Sequence, residues 1–289
     1  MIRYLLGAIC SIPLLPIMAI QGKQIRKKVP TLPPATGPEG SATGGAKRLR
    51  LLALGESTIA CLGAETHEEG LTGSLAKELA RHTGKTVDWT VVARAGYTAQ
   101  LVKERLVPRM KGKRADLIAI GLGGNDAFTL NRPWRWNRQV RELIAEIRKE
   151  FPETPLLFLN VPPIKEFPAF TPLIQFVVGN LVNILGEELN KIARDTEGVY
   201  YSSEEITLQG WMKKYDQEGP KSGFFSDGVH PALITYQTWA KDAAQFVMKE
   251  KILEESDRAN LLLEIEDSAF RFSVLTKNTK EEHEGHKGI

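Results

Sequence analysis

The feature that most constrains the fold of this chain is an alternation of short apolar runs with segments of helical periodicity. Short apolar runs bounded by polar or glycine-rich residues are typical of buried strands. Such runs lie at residues 49–54, 87–93, 116–122 and 155–161, with a shorter one at 198–201. Helices are predicted at residues 72–82, 99–107, 137–151, 171–195 and 231–251, the third of them capped by Asn137.

Repeated strand–helix–strand units predict a parallel sheet, because the crossover helices that join parallel strands cover the faces of the sheet. The fold class is therefore α/β, a three-layer α/β/α sandwich with a mostly parallel, flavodoxin-like central sheet. The chain of 289 residues has room for one such domain, which we place at residues 47–253. Ligands in this architecture bind beyond the carboxyl ends of the strands.

An apolar N-terminal segment, residues 1–22, precedes this domain. Its apolar run is broken by Pro13 and Pro16 and is somewhat shorter than the roughly 20 residues of a comfortable membrane span. We interpret it as an uncleaved membrane anchor. The main alternative is a cleaved signal, although the segment offers no good Ala-x-Ala cleavage site. A lipoprotein signal ending at Cys10 is disfavoured by the preceding Ile9.

Charges on the two sides of the apolar segment indicate an orientation. Arg3 precedes it, and a basic cluster follows it at Lys23, Arg26, Lys27 and Lys28. By the positive-inside rule, an uncleaved segment leaves the main body on the cytoplasmic side of the membrane. A cleaved signal would make the protein secreted or periplasmic instead. Residues 23–46, basic and rich in Pro and Gly, are predicted to be a linker or an extended strap.

The composition excludes several kinds of partner and site. The net charge of +3 is small for this length, so no nucleic-acid-binding face is predicted. Cys10 and Cys61 are the only cysteines, which leaves no disulfide framework and no zinc site built from thiolates. Residues 254–289 are predicted to be a C-terminal extension with a disordered end. We interpret His283 and His286 within it as solvated side chains.

Three candidate site residues follow the first three predicted strands. Ser57 comes after the first, Gly96 after the second and Asn125 after the third. A serine hydroxyl becomes an effective nucleophile only when a neighbouring base accepts its proton. Taken alone, Ser57 is better explained as the N-cap of a following helix that would contain Cys61. The other residues of the constellation favour the nucleophile.

His230 is the candidate base. Asp227 lies three residues before it and can hold the imidazole in the tautomer that presents its other nitrogen to Ser57. The alternative is that Asp227 caps a helix and His230 is a bystander. Of the other histidines in the predicted domain, His67 is expected to be exposed in an acidic loop, and His82 is expected at a helix end.

Ester hydrolysis also needs donors for the oxygen that becomes negative in the transition state. The backbone N–H groups of Ser57 and Gly96 and the side-chain amide of Asn125 are the candidates. Gly96 suits this role because no side chain blocks the approach. Asp126 is interpreted as structural, holding its own turn through backbone N–H groups.

The four blocks together resemble those of the SGNH hydrolase superfamily, also called the GDSL esterases and lipases. The matching residues are Ser57, Gly96, Asn125 within residues 123–126 and His230 within residues 227–230. The resemblance covers roughly residues 48–250. The first block departs from the usual Gly-Asp-Ser of that family, because it reads Gly55-Glu56-Ser57. We interpret Glu56 as a scaffold residue whose turn-stabilising hydrogen bond is rearranged.

The resemblance implies a serine-dependent carboxylic-ester hydrolase that needs neither cofactor nor metal. Its catalytic residues would be Ser57, Asp227 and His230, and its oxyanion hole Ser57, Gly96 and Asn125. Family members cleave lipid, thioester and acetylated-sugar substrates, so a small-molecule or lipid acyl ester is the expected substrate, with lysophospholipase or thioesterase activity included. A carbohydrate O-deacetylase and an acyltransferase are alternatives on the same site. A non-catalytic membrane-tethered scaffold is the alternative from another class.

Two aromatic stretches, residues 128–136 and 164–176, are candidates for the wall of an acyl pocket. Packing against the core is the competing explanation for their apolar character. Their aromatic residues include Trp134, Trp136, Phe167, Phe170 and Phe176.

Overall fold

The computed structural model of the chain describes residues 2–254, and its centre is a six-stranded sheet. The strands are β1 (Glu39–Ala42), β2 (Gly45–Gly55), β3 (Lys85–Ala93), β4 (Leu117–Gly121), β5 (Leu156–Phe158) and β6 (Val199–Tyr201). In space they run in the order β1-β3-β2-β4-β5-β6. Strands β2 to β6 are parallel, and β1 pairs antiparallel with β3 at one edge. The predicted α/β class with a mostly parallel sheet is confirmed.

Helices cover both faces of this sheet. They are α1 (Ile2–Ser11), α2 (Leu15–Lys28), α3 (Leu71–Thr83), α4 (Ala99–Arg105), α5 (Gly124–Phe128), α6 (Pro133–Arg148), α7 (Pro172–Asp195), α8 (Leu208–Lys214) and α9 (Leu233–Lys249). Along the strand order, the connection from β2 to β3 moves toward the β1 edge. The connections from β3 to β4, β4 to β5 and β5 to β6 move toward the β6 edge. Because such crossovers are right-handed, α3 covers one face and α4, α6 and α7 cover the opposite face. Helix α9 packs beside α3.

Two predicted boundaries differ from the structure. The segment predicted as a linker or strap contains β1 and the start of β2, so the sheet begins at residue 39. Strand β1 lacks apolar alternation and is held by backbone pairing with β3. Helix α6 begins at Pro133, so the prediction that Asn137 is its N-cap is wrong. Proline is well suited to a first helical position, because the N–H that it lacks would have no partner there.

The N-terminal apolar segment is helical, and the C-terminal extension falls largely outside the described residues. Helices α1 and α2 are joined by a short 3₁₀ turn at Ile12–Leu14 that contains Pro13. The stretch Gly7–Lys28 is long and apolar enough to cross a membrane by length and composition. Of the predicted extension, residues 255–289, including His283 and His286, lie outside the described part of the chain.

We expect the contact between α6 and α7 to depend on Trp136. Its indole is fully buried, and Nε1–H donates to the carbonyl oxygen of Leu185 at 3.1 Å. Replacing a buried aromatic ring by a methyl group leaves a cavity, so Trp136→Ala should lower the free energy of unfolding by about 3–5 kcal/mol. Urea unfolding of the full chain in detergent measures this change.

Trp134→Ala is the matched control for this experiment. Trp134 lies two positions earlier on the same helix but is 44% exposed. Its replacement should cost less than about 1 kcal/mol, since exposed substitutions seldom cost more. Equal losses for the two variants would contradict the core role of Trp136.

Candidate active site

Ser57 is presented just beyond the end of β2, where two strands approach each other closely. Gly55 of β2 pairs with Gly121 of β4, and a Cβ on Gly55 would lie 2.2 Å from the Gly121 carbonyl oxygen. It would also lie 2.7 Å from Cγ1 of Ile59. Glycine at position 55 is therefore required by this close approach and not by an unusual backbone angle.

The chain after Ser57 turns without forming the predicted helix. The N–H of Leu62 donates to the carbonyl oxygen of Ser57 at 3.3 Å, within a run of consecutive turns. Cys61 lies in this run with a φ of +51° and is buried, and its Sγ accepts the N–H of Leu71 at 3.3 Å. The prediction that Cys61 lies in a helix is wrong, and the alternative that Ser57 caps one is not supported, because consecutive turns take the place of that helix.

Asp227 holds His230 by two hydrogen bonds and the neighbouring Val229 by a third. Oδ2 of Asp227 lies 2.7 Å from Nδ1 of His230, and Oδ1 accepts the backbone N–H groups of Val229 and His230 at 2.9 and 2.7 Å. The side chain of Asp227 is 1% exposed, whereas that of His230 is 21% exposed. Burial acts to raise the pKa of Asp227, but the hydrogen bonds from His230 and Val229 outweigh it and hold that pKa below its ordinary value. An ionised Asp227 favours the tautomer with a proton on Nδ1, which leaves Nε2 as an acceptor.

The loop that carries His230 is pressed against the turns that follow Ser57. Gly63 has a φ of +99°, and a Cβ there would lie 2.4 Å from Oγ of Ser226 and 2.8 Å from the carbonyl oxygen of Pro231. The buried hydroxyl of Tyr236, on α9, donates to the carbonyl oxygen of Leu62 at 2.8 Å. These contacts bring together two loops that are separated by more than half of the chain in sequence.

Ser57, Asn125 and His230 line one cavity of about 150 Å³. Its remaining wall is mainly apolar. The other lining residues are Glu56, Thr58, Gly124, Phe128, Pro162, Pro163, Phe167, Leu208, Phe225, Val229, Pro231, Thr235 and Trp239. The structure thus places the candidate nucleophile, base and amide donor around the same space.

Asn125 is oriented by the carboxylate of Glu56. The Nδ2 group of Asn125 donates to Oε2 of Glu56 at 2.6 Å and to the carbonyl oxygen of Tyr97 at 3.2 Å. The Glu56 carboxylate also accepts the backbone N–H groups of Gly124 and Asn125 at 2.8 and 3.0 Å. Glu56 therefore joins the end of β2 to the first turn of α5 and fixes which way the Asn125 amide faces.

The carboxyl group of Glu56 is buried, and its pKa is raised. Glu56 is 2% exposed. Burial raises its pKa to about 7, and the charge of Asp126 adds to the rise, while the hydrogen bonds from Asn125 and Gly124 offset part of it. Glu56 thus holds the first turn of α5 and contacts a candidate oxyanion donor directly.

Gly96 lies next to this network but not on the cavity. Its φ is +81°, a Cβ built on it would point into open space, and it is not among the residues that line the cavity. Asp126 holds the far side of the same loop, since its Oδ2 accepts the N–H of Ala99, the first residue of α4, at 2.9 Å. The prediction that Asp126 accepts backbone N–H groups of its own turn is therefore wrong, because the backbone N–H that it accepts belongs to Ala99.

The other histidines of the domain lie apart from the cavity. His67 is buried, so the prediction that it is exposed is wrong; its backbone N–H donates to the carbonyl oxygen of Thr36, which draws the acidic loop inward. Burial lowers the pKa of His67, and its Nδ1 has no partner within residues 2–254. His82 lies in the last turn of α3, as predicted.

The two aromatic stretches contribute to the cavity in part. Phe128 and Phe167 line it, and Phe170 packs against both rings at centroid distances of 5.3 and 5.4 Å. Trp136 belongs to the core instead, whereas Trp134 and Phe176 are exposed and lie outside the cavity lining. Sequence reasoning did not find Phe225 and Trp239 as cavity residues, or Tyr236 as the residue that holds the loop. The one sequence signal that could have identified these three residues is that they are aromatic and lie close to His230 in the sequence.

Comparison with known families agrees with this arrangement of strand ends and loops. A model of the GDSL-like lipase/acylhydrolase family matches residues 53–237. This chain belongs to that family. The predicted resemblance is thereby confirmed, and the family's name is that of a hydrolase. A comparison with curated proteins found none that matches.

Solved structures show the same fold at low sequence identity. TesA superposes with a TM-score of 0.52 at 20% identity, over 68% of this chain and 97% of TesA. A lipase/acylhydrolase from Enterococcus faecalis gives 0.51 at 17% identity, over 70% of this chain and 96% of its own. A catalytic mutant of an acetylxylan esterase from Geobacillus stearothermophilus gives 0.53 at 15% identity, over 71% and 95%. At these identities the likeness is one of fold.

We expect the stability of the protein to depend on pH through Glu56. A carboxyl group whose pKa is about 7 when folded and lower when unfolded binds its proton more tightly in the folded state. Its contribution is complete at low pH and is lost as the pH rises through about 7, by up to about 1.4 kcal/mol per pH unit.

Glu56→Gln removes this titration while keeping the size of the side chain. Urea unfolding of both proteins in detergent at pH values between about 5 and 8 should show the wild type losing stability relative to the variant as the pH rises. Parallel pH profiles would show that Glu56 does not change its protonation in this range.

Proposed function

We propose that this protein is a serine-dependent carboxylic-ester hydrolase that acts through an acyl-enzyme on Ser57. The observation that carries the proposal is the pair formed by Asp227 and His230, with Nδ1 and Oδ2 2.7 Å apart, on the rim of a cavity that Ser57 also lines. A serine beside an imidazole that is oriented by a buried carboxylate is the arrangement that activates a hydroxyl for attack on a carbonyl.

In this mechanism Ser57 attacks the carbonyl and His230 moves the protons. His230 takes the proton of the Ser57 hydroxyl through Nε2, transfers it to the departing alcohol and then activates the water that hydrolyses the acyl-enzyme. Asp227 remains ionised and stabilises the imidazolium. The negative oxygen is bound by the backbone N–H of Ser57 and by the Asn125 amide, and the backbone N–H of Gly96, which does not line the cavity, stays the predicted third donor.

The hydrogen bonds of Asn125 suggest how its amide meets that oxygen. Both amide hydrogens have acceptors in this structure, Oε2 of Glu56 at 2.6 Å and the carbonyl oxygen of Tyr97 at 3.2 Å. The hydrogen bond to Tyr97 is the longer of the two, and its acceptor is a neutral carbonyl oxygen and not a carboxylate, so it is the weaker bond. We infer that the developing oxyanion replaces Tyr97 as acceptor while Glu56 keeps the amide in place.

The cavity supports an apolar acyl group as the part of the substrate that it takes. Phe128, Phe167, Phe225 and Leu208 are among the residues that line it, and burying an alkyl chain against apolar surface of this kind is favourable because water is excluded from the chain. The apolar N-terminal segment supports attachment to a membrane. Lipid or lysophospholipid esters and long-chain thioesters fit both features.

Fluorophosphonate labelling tests the nucleophile. The wild type should be labelled, and Ser57→Ala and His230→Ala should lose both labelling and nitrophenyl-ester hydrolysis, the latter by at least about 10³-fold in kcat. Asp227→Asn should lose a similar factor, because it presents the wrong tautomer. His82→Ala, an exposed histidine on α3, is the matched control and should leave both unchanged. A folded wild type that is not labelled would favour the non-catalytic scaffold.

The length of the preferred acyl chain tests the substrate class. Nitrophenyl esters of medium or long acyl chains should be turned over with a higher kcat/KM than the acetate, since each added methylene is worth up to about 0.8 kcal/mol in an apolar cavity. A preference for the acetate would contradict the lipid substrate and favour a deacetylase. Transfer of the acyl group to an added alcohol in preference to water would identify an acyltransferase.

A further inference from the structure

The N-terminal helices lie along the catalytic domain throughout their length. Near the start of α1, the Tyr4 ring packs edge-on against Trp134 of α6 with centroids 5.5 Å apart. In the middle of α2, Oε1 of Gln21 accepts a hydrogen bond from the hydroxyl of Thr171, the N-cap of α7, at 2.7 Å. Met18, between them, is buried. At 1.5 Å per residue these contacts span about 25 Å.

One face of the helices meets the protein, and the opposite face is apolar. The buried or half-buried residues recur every three or four positions, at Tyr4, Ala8, Ser11, Leu14, Met18, Gln21 and Ile25. The large apolar residues that point away from the protein are 36–66% exposed and are Leu5, Ile9, Ile12, Leu15, Ile17 and Ile20. A helix on the surface of a water-soluble protein has its apolar stripe toward the core and a polar face outward, whereas the outward face here is apolar.

The elements that hold these helices add exposed aromatic side chains. Trp134, which contacts Tyr4, is 44% exposed, and Phe176, in the second turn of α7, is 67% exposed. We call the outward apolar residues of α1 and α2, together with Trp134 and Phe176, the lipid-facing surface. Exposed apolar patches of this kind on a soluble domain mark an interaction site.

The contact that holds α2 on the domain lies close in the chain to the rim of the cavity. Thr171, which donates to Gln21, directly follows Phe170 in the sequence. The ring of Phe170 packs against Phe128 at 5.3 Å, and Phe128 is both exposed and part of the cavity lining. Helix α2 is therefore linked to the cavity rim through one hydrogen bond, one peptide bond and one contact between aromatic rings.

The charges at the end of α2 fit a bilayer with anionic headgroups. Lys23, Arg26, Lys27 and Lys28 are all exposed and follow the apolar part of the helix. Arg132 lies over the Trp134 ring at 5.7 Å. An apolar face buried in the leaflet with basic residues at headgroup level is the pattern of an interfacial helix.

We propose that α1 and α2 lie in the plane of an anionic lipid bilayer, with the lipid-facing surface in the leaflet, and that the cavity takes its acyl ester directly from that leaflet. A helix that crossed the bilayer would have to give up its contacts with both Trp134 and Thr171. The substrate class follows from the proposed hydrolase function and would be an amphipathic lipid whose ester lies at headgroup depth. The mode of membrane attachment stands independently of it.

Vesicle flotation of the full-length protein tests the surface. The wild type should float with phosphatidylglycerol–phosphatidylcholine vesicles and bind pure phosphatidylcholine vesicles more weakly. The double variant Ile9→Asp, Ile17→Asp should reduce the bound fraction at least tenfold, because it puts two charges into the apolar face. Met248→Glu, at a position 37% exposed on α9, is the matched control and should bind as the wild type does.

Two esters separate this proposal from the hydrolase proposal. The double variant should hydrolyse soluble nitrophenyl butyrate within about twofold of the wild-type rate, and hydrolyse nitrophenyl palmitate embedded in the anionic vesicles at least tenfold more slowly. Equal losses on both esters would contradict delivery from the leaflet. If the wild type hydrolyses neither ester but floats as expected, the hydrolase function fails and the membrane surface stands.

The depth of residue 17 distinguishes a helix in the plane from one that crosses the bilayer. A bimane label is attached through Ile17→Cys in a Cys10→Ser background, where the other cysteine, Cys61, is buried. Quenching should be stronger with lipids that carry a nitroxide near the headgroup than with lipids that carry it near the chain end. The reverse order would overturn the proposal. Absence of vesicle binding, together with a dimer that dissociates in the double variant, would assign the surface to a second copy and also overturn it.

Discussion

A single buried carboxylate joins the two strand ends on which the candidate site is built. Glu56 follows β2 directly, and its backbone N–H donates to the carbonyl oxygen of Gly121 at the end of β4. Its side chain accepts both backbone N–H groups at the start of α5 and the amide of Asn125. The longer side chain, where the family usually has Asp, therefore links the candidate nucleophile, one residue away, to a candidate oxyanion donor 68 residues further along the chain. The cost is a buried charge, which appears as the raised pKa of Glu56.

The other half of the site is positioned by contacts between two loops. The His230 loop is ordered internally by Asp227, but its position relative to Ser57 is set by α9, whose Tyr236 hydroxyl donates to the carbonyl oxygen of Leu62. Gly63 allows the two loops to approach because it has no Cβ to collide with Ser226 and Pro231. The candidate base thus lies on a loop held by a helix on one face of the sheet, whereas the candidate nucleophile and the candidate amide donor follow the strand ends themselves.

The parts of the fold that follow from local sequence were predictable, and those that depend on distant partners were not. Apolar runs gave strands β2 to β6, and the order of Ser57, Asn125 and His230 along the chain gave the family; their catalytic roles stay predictions. Strand β1 escaped prediction because Glu-Gly-Ser-Ala has no apolar pattern and is a strand only through its pairing with β3. The burial of His67 depends on a bond to Thr36, and the position of Asn125 depends on Glu56, so neither could be predicted from neighbouring residues.

The N-terminal helix shows why hydropathy alone leaves the mode of membrane attachment open. A spanning helix, a signal and an in-plane helix share the same average apolarity, and they differ in where their few polar residues point. Here Ser11 and Gln21 belong to the face that meets the domain, and Gln21 has a hydrogen-bond partner there in Thr171. A spanning helix would expose Gln21 to hydrocarbon or to headgroups, whereas docking on the domain satisfies it and leaves an outward face without polar groups between Ile12 and Ile20. The polar residues of the segment therefore belong to the face that meets the domain, and in the in-plane arrangement that we propose its outward apolar residues supply the affinity for lipid.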